Sequence, residues 1–256
     1  MSHIPSVGPG HSGSADELED ARQVLRRTGH RIDRLHKVGS GYLFAHGDCQ
    51  CALRISTEQL AELREGLRDV QGRAYVFPDK YYVASTAAVS DIKVWIDTAI
   101  PDAWQLLIYR ALSHWNADSL QSSISLRFVS QQSDADTLVR SYDIEDGLLG
   151  WADMPAFSAV GRSVNINRHY GSLYSDSVYT NTIVHEMGHA LGFAHAGGED
   201  PSFGLPDRHL AHTSPFKDPR AVMASAGHEW YGFSADEKDA MRLLHPRSAA
   251  PRQTSD

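Results

Sequence analysis

One eleven-residue segment, residues 185–195, constrains this chain more than any other part of its sequence. It reads HEMGHALGFAH, so histidines stand at positions 185, 189 and 195, with Glu186 and Gly192 between them. Residues four apart on a helix project from one face, about 6 Å apart along the axis. His185 and His189 can therefore bind the same metal ion.

The rest of the motif specifies what kind of metal site this is. Gly192 can adopt the left-handed conformation that ends a helix, which would bring His195 back as a third ligand. Three neutral imidazoles leave the fourth position of a tetrahedral Zn²⁺ open for water, which is the catalytic arrangement, and Glu186 is placed to reach that water. The opposite helix face would pack on a sheet while both imidazoles face outward; it carries Ile183, Met187 and Ala190.

These residues resemble the metzincin clan of zinc endopeptidases, and within it matrixin-related enzymes most closely. The clan has a methionine-containing turn beneath the zinc site, and Met223, 28 residues after His195, fits that position. The resemblance covers about residues 87–247. It implies an α+β catalytic domain with a mixed twisted sheet, a zinc-site helix, a Met-turn and a C-terminal helix. Ser225 stands where some families have a tyrosine ligand, so we expect three protein ligands.

The resemblance also implies the reaction and the substrate class. One zinc ion would activate water, with Glu186 as general base and then acid, to hydrolyse peptide bonds in proteins. Substrate would lie along an exposed strand, for which residues 148–154 are the candidate because Gly147 and Gly150 leave an edge free. A plain sheet edge is the alternative interpretation. The candidate substrate-binding residues are Leu149, Gly150, Trp151 and Ala152.

Two other functions share the same ligand residues. A catalytically silent zinc-binding or protein-interaction module could keep the fold, although it would not need Glu186. A metalloenzyme that hydrolyses a non-peptide bond would use the same set. Further metal sites are less well supported: His209 and His212 have no nearby Glu partner, so surface histidines are the simpler interpretation. The acidic residues of the same loop match no known Ca²⁺ loop; they are Glu199, Asp200 and Asp207.

The front of the chain forms a small unit of its own. The sequence predicts a small α/β segment over residues 14–86 and the catalytic domain over residues 87–247. It predicts a disordered lead-in over residues 1–13 and a disordered tail over residues 248–256. Related enzymes often carry an inhibitory pro-segment that places a Cys or Asp on the zinc. Asp48, Cys49 and Cys51 are the candidate latency ligands, and a simple turn between small strands is the alternative.

Hydrophobic periodicity predicts the order of the elements. Helices are expected over about 15–28, 57–69, from 101 onward, after 178 and over 234–244, where capping signatures and apolar stripes coincide. Alternating patterns predict strands near 31–37, 41–46, 92–96, 124–128, 137–142, 148–154 and 164–167. Together they describe an α+β sheet with helices on its faces.

Composition excludes some partners. The net charge of −8 argues against nucleic acid, and no apolar run is long enough for a membrane span. The N-terminus has no signal-peptide pattern, which favours a cytoplasmic location, whereas clan members are mostly secreted. A monomer is favoured, although nothing in the sequence fixes the oligomeric state.

Overall fold

The computed structural model describes residues 14–27, 32, 34–45, 50–68, 83–193, 195, 218–224 and 226–247. The predicted lead-in and tail, the acidic residues 199, 200 and 207, and the histidines 209 and 212 lie outside these residues. Within them, no helix has both the length and the apolar character needed to cross a membrane.

Most predicted elements are present. The helices are α1 (Ala15–Arg27), α2 (Thr57–Arg68), α3 (Thr86–Val89), α4 (Asp102–Ser113), α5 (Asp176–Leu191) and α6 (Ala235–Leu244). The strands are β1 (Arg34–Val38), β2 (Gly41–Ala45), β3 (Cys51–Ser56), β4 (Ile92–Ile96), β5 (Leu126–Phe128), β6 (Thr137–Tyr142), β7 (Gly150–Asp153) and β8 (Ser163–Asn167). The sequence prediction lacked β3 and the short α3.

The eight strands found in the described part of the chain join in one mixed sheet, in the order β1-β2-β3-β7-β8-β6-β4-β5. On the C-terminal side, β6 runs parallel to β4 and β8, and β4 parallel to β5, while β7 is antiparallel to β8. On the N-terminal side, β1, β2 and β3 form an antiparallel meander. The two sides meet where β3 pairs in parallel with β7. The predicted α+β architecture is confirmed.

The larger core lies between the sheet and helices α4 and α5. Helix α4 contributes the stripe that its sequence predicts, since Ile108, Ala111 and Leu112 are buried and Trp104 and Leu107 pack at its margin. Helix α5 crosses the same core and is buried along most of its length. It therefore holds whatever it carries in fixed positions relative to the sheet.

A second, smaller core fills the N-terminal side. It is built from apolar residues of α1, α2 and β1–β3, and it includes Met154 from the end of β7. Ser14 and Ser56 cap α1 and α2 as their sequence predicts: Ser14 Oγ accepts from Glu17 N (3.2 Å) and Ser56 Oγ from Gln59 N (3.1 Å). The N-terminal segment is thus a folded unit that shares the sheet with the larger core.

Candidate metal centre

Helix α5 begins and ends at the residues that local sequence signals predict. The Ser175 hydroxyl caps its first turn by accepting from Val178 N (3.2 Å), and Asp176 places a negative charge at the N-terminal end. Gly192 ends the helix with φ 102° and ψ 13°, and Phe193 N donates back to Gly188 O (2.9 Å). The predicted left-handed turn at Gly192 is confirmed.

This turn brings three imidazoles together. His195 Nε2 lies 3.1 Å from His189 Nε2 and 3.2 Å from His185 Nε2. Within the described parts of the chain, these histidines are the one cluster of three or more residues suited to hold a metal ion. Four ligands at the usual Zn–N distance stand about 3.3–3.4 Å apart in a tetrahedron, so the spacing fits zinc.

The outer nitrogens of two imidazoles fix which inner nitrogens are free for a metal. His185 Nδ1 donates to Val222 O (2.7 Å) and His189 Nδ1 donates to Phe193 O (2.9 Å). A carbonyl can only accept, so both Nδ1 atoms carry the proton and both Nε2 atoms present lone pairs. A metal cation placed between the rings would bind these facing nitrogens at once.

Burial keeps this cluster in the state that a metal requires. His185 and His189 are fully buried, so the expectation that their rings face outward is wrong: the zinc helix lies inside the molecule. Burial first, and then the neighbouring His195, hold the pKa of the His185 imidazole well below its usual value. A neutral imidazole is the form that binds zinc.

Glu186 lies buried beside the ligands. Neither carboxylate oxygen has a hydrogen-bond partner within the part of the chain that the structure describes. Burial raises the pKa of this carboxyl well above its usual value. It lies against the sheet at Gly150, where an added Cβ would lie 3.0 Å from Glu186 Cγ. A buried carboxyl without a partner is costly, and a water or substrate group bound beside it would supply one.

Met223 lies directly beneath the ligand helix. It occupies a short 3₁₀ turn, residues 222–224, and is 5% exposed. A Cβ added at Gly188, between the two helical ligands, would lie 2.5 Å from Met223 Sδ, so the thioether packs against the helix backbone there. Tyr231, the nearest downstream tyrosine, is 61% exposed and lies under the Arg220 guanidinium.

The predicted substrate strand differs from expectation in one respect. Gly150, Trp151 and Ala152 lie in β7, and Leu149 immediately precedes it, but β7 has a partner on each side. Its outer edge is covered by β3, with Cys51 opposite Gly150 and Ala52 opposite Trp151. Both interpretations of residues 148–154 as an unpaired edge, for substrate or as a plain sheet edge, are therefore wrong, because β3 of the N-terminal unit pairs there.

The candidate latency ligands fall only partly within the described residues. Asp48 and Cys49 lie outside them, and of Cys51 only the backbone is described, as the first residue of β3. The neighbouring Gln50, which no sequence pattern singled out, lies within the described residues. Its carbonyl accepts from Leu149 N (2.8 Å) and its Nε2 donates to the Tyr174 hydroxyl (3.1 Å). No local signal marks Gln50, since both of its partners lie far along the chain, at Leu149 and Tyr174.

The comparison with known protein families gives one match, in the region that contains the zinc ligands. Residues 83–199 match the model of the peptidase family described as Astacin. No curated protein matches the sequence. The metzincin resemblance is thus confirmed, and its closer assignment to matrixin-related enzymes is wrong, because the order of elements and the Met-turn are features of the whole clan.

The chain also matches solved structures over about two thirds of its length. Two structures of myroilysin share 17% and 15% identity with the chain, at TM-scores of 0.41 and 0.43; each covers 68% of this chain and 92% or 89% of its own. The hatching enzyme HCE-1, a zinc-protease from the medaka fish Oryzias latipes, shares 13% identity at a TM-score of 0.43, covering 68% of this chain and 98% of its own.

Proposed function

We propose how this zinc-dependent endopeptidase, whose catalytic region is of the astacin family, cleaves peptide bonds and how its cleft is kept closed. Its catalytic zinc is held by His185, His189 and His195. We assign Glu186 as the general base and acid. The N-terminal unit, residues 14–86, is assigned as an inhibitory segment.

One observation carries the catalytic assignment. The buried Glu186 carboxyl has no hydrogen-bond partner among the described residues, and it directly follows one of three histidines whose ring nitrogens converge. When bound, zinc polarises the scissile carbonyl and activates water. Glu186 accepts a proton from the attacking water and delivers it to the leaving amine, a task for which a raised pKa is suited. Met223 supports the helix that carries two of the ligands.

The substrate is proposed to bind as an extended strand along β7, through the backbone of residues 149–152. Support comes from the pairing of β3 on that same edge, since one strand edge accepts one partner at a time. In this proposal β3 must leave before a protein substrate can bind. The residues just before it, Asp48 and Cys49, or the side chain of Cys51, would supply a ligand to the zinc in the latent state.

The experiment compares metal content and cleavage in the full chain. Wild type and Glu186→Gln are each assayed for zinc and for casein cleavage, before and after limited trypsin treatment. We expect about one zinc in both, and cleavage after trypsin in the wild type alone. A zinc-loaded wild type that cleaves no more casein than Glu186→Gln would favour the silent module over the peptidase mechanism.

The latency assignment has its own test. Asp48→Ala, Cys49→Ala and Cys51→Ala are made singly in the full chain and assayed without trypsin. Removing the true ligand raises cleavage above wild type, and Ser40→Ala, in the turn between β1 and β2, serves as a control within the same unit. Equal activity in all four variants would refute a zinc ligand from this segment.

A further inference from the structure

Glu237, at the start of α6, connects the first turn of that helix with the 222–224 turn. Its Oε2 accepts from Ser234 N (2.8 Å), and Ser234 Oγ accepts from Glu237 N (3.2 Å), which completes the capping box of α6. Its Oε1 accepts from Met223 N (2.8 Å). The residue is 8% exposed, so its carboxylate is removed from solvent and held by backbone N–H groups.

The bond to Met223 reaches the zinc ligands through a single peptide group. Met223 N–H and Val222 C=O belong to the same planar trans peptide, and they therefore point in opposite directions. Val222 O accepts from His185 Nδ1 (2.7 Å). The order of contacts is thus Glu237 carboxylate, peptide 222–223, His185 imidazole and then the metal position.

We propose that Glu237 is a positioning residue for the zinc centre, acting on His185 through the peptide between Val222 and Met223. A carboxylate that accepts from the peptide N–H polarises the amide and makes its carbonyl a stronger acceptor. The stronger acceptor holds His185 in the tautomer and ring orientation that present Nε2 to the metal, as outer-shell partners of zinc histidines do. His189 is oriented in the same way by a carbonyl close in sequence, that of Phe193.

A simpler role for Glu237 would be to cap α6 and nothing more. The two roles separate because Ser234→Ala removes the capping hydroxyl but leaves the Glu237 carboxylate on Met223 N. Glu237→Gln keeps the size of the side chain but presents one amide oxygen to two N–H groups, so one of them loses its acceptor. These two variants form a matched pair.

The test measures zinc affinity in the full chain by competition with a chelator. We expect Glu237→Gln to weaken zinc binding about 10-fold or more, the usual effect of losing an outer-shell partner, and Ser234→Ala to change it less than twofold. In the Co²⁺-substituted protein, Glu237→Gln should also shift one exchangeable imidazole N–H resonance. Equal zinc affinity in the two variants would reduce Glu237 to a helix cap and overturn the proposal.

A measurement on the wild type covers the case in which Glu237→Gln does not fold. Linkage is reciprocal, so if the Met223 bond strengthens zinc binding, zinc binding must strengthen that bond. Hydrogen exchange of the Met223 amide should then slow about 10-fold on addition of zinc to the apo protein. An unchanged exchange rate would overturn the proposal. Both readouts are independent of peptide cleavage, so they hold whether or not the peptidase assay succeeds.

Discussion

The ion pair between Arg54 and Asp153 offers a direct way to loosen the N-terminal unit. Arg54 lies on β3 and its Nη1 donates to Asp153 Oδ1 on β7 (3.0 Å); the side chains are 20% and 14% exposed. Asp153 Oδ2 also accepts from the Ser163 hydroxyl (2.8 Å). In Arg54→Met the aliphatic part of the side chain remains, but the mostly buried Asp153 carboxylate faces β3 without its cation.

The expected size follows from the degree of burial. Removing one partner costs about 3–5 kcal/mol for a fully buried pair, whereas exposed pairs contribute about 0–1 kcal/mol. For these side chains, which are about four-fifths buried, we expect Arg54→Met to destabilise the state in which β3 pairs with β7 by roughly 2 kcal/mol. The state in which β3 has left β7 is not affected. Because each 1.4 kcal/mol is about tenfold in an equilibrium constant, the undocked fraction should rise roughly 30-fold.

Two measurements on the full chain test this expectation without any added protease. Amide exchange of residues 52–55 should accelerate in Arg54→Met, and cleavage of a fluorogenic peptide should increase with the undocked fraction. Arg127→Met is the matched control, because its pair with Asp91 is exposed and lies far along the sheet, on β5. If the amides of residues 52–55 exchange in Arg54→Met at the same rates as in the wild type, the reasoning is refuted.

Three further predictions concern the catalytic side. Gly150→Ala should lower kcat about threefold to tenfold with zinc content unchanged, because the new Cβ lies 3.0 Å from Glu186 Cγ; equal kcat would contradict this. Asn167→Ala should lower the free energy of unfolding in urea by about 3 kcal/mol and speed amide exchange over residues 144–148, since the fully buried amide donates to carbonyls of that loop at 2.6 and 2.9 Å. Burial lowers the pKa of His245 from 6.5 to about 4, so between these pH values the unfolded chain binds a proton that the folded chain does not. The free energy of unfolding should therefore fall by up to roughly 3 kcal/mol as the pH drops from 6.5 to 4. His245→Phe should flatten that part of the pH–stability profile.

Features set by near neighbours in sequence could be predicted. The spacing of His185 and His189, the helix stop at Gly192 and the capping box of Ser234 with Glu237 each depend on contacts within one or two helical turns, and all are present. The α4 stripe is likewise local. The zinc ligands can therefore be predicted from the sequence, because a helix fixes the directions of its own side chains.

The strand β3 could not be predicted with the same ease, although a weak signal exists. Leu53 and Ile55 are buried and alternate with Arg54, which is the pattern of a half-buried strand, but the run is short and follows an unusual Cys-Gln-Cys. On one side β3 pairs with β7, which lies almost a hundred residues later in the chain, and no local sequence pattern predicts that pairing. The edge of β7 looked free because the sequence does not show which strand covers it.

The acceptors behind the zinc ligands illustrate the same limit more sharply. His189 donates to Phe193, four residues on, so the turn at Gly192 that ends the helix also delivers this acceptor. His185 donates to Val222, 37 residues on, and a main-chain carbonyl has no signature in sequence. The orientation of His185 thus depends on tertiary structure and that of His189 on the local turn. Perturbing the 222–224 turn or the start of α6 should therefore disturb His185 first.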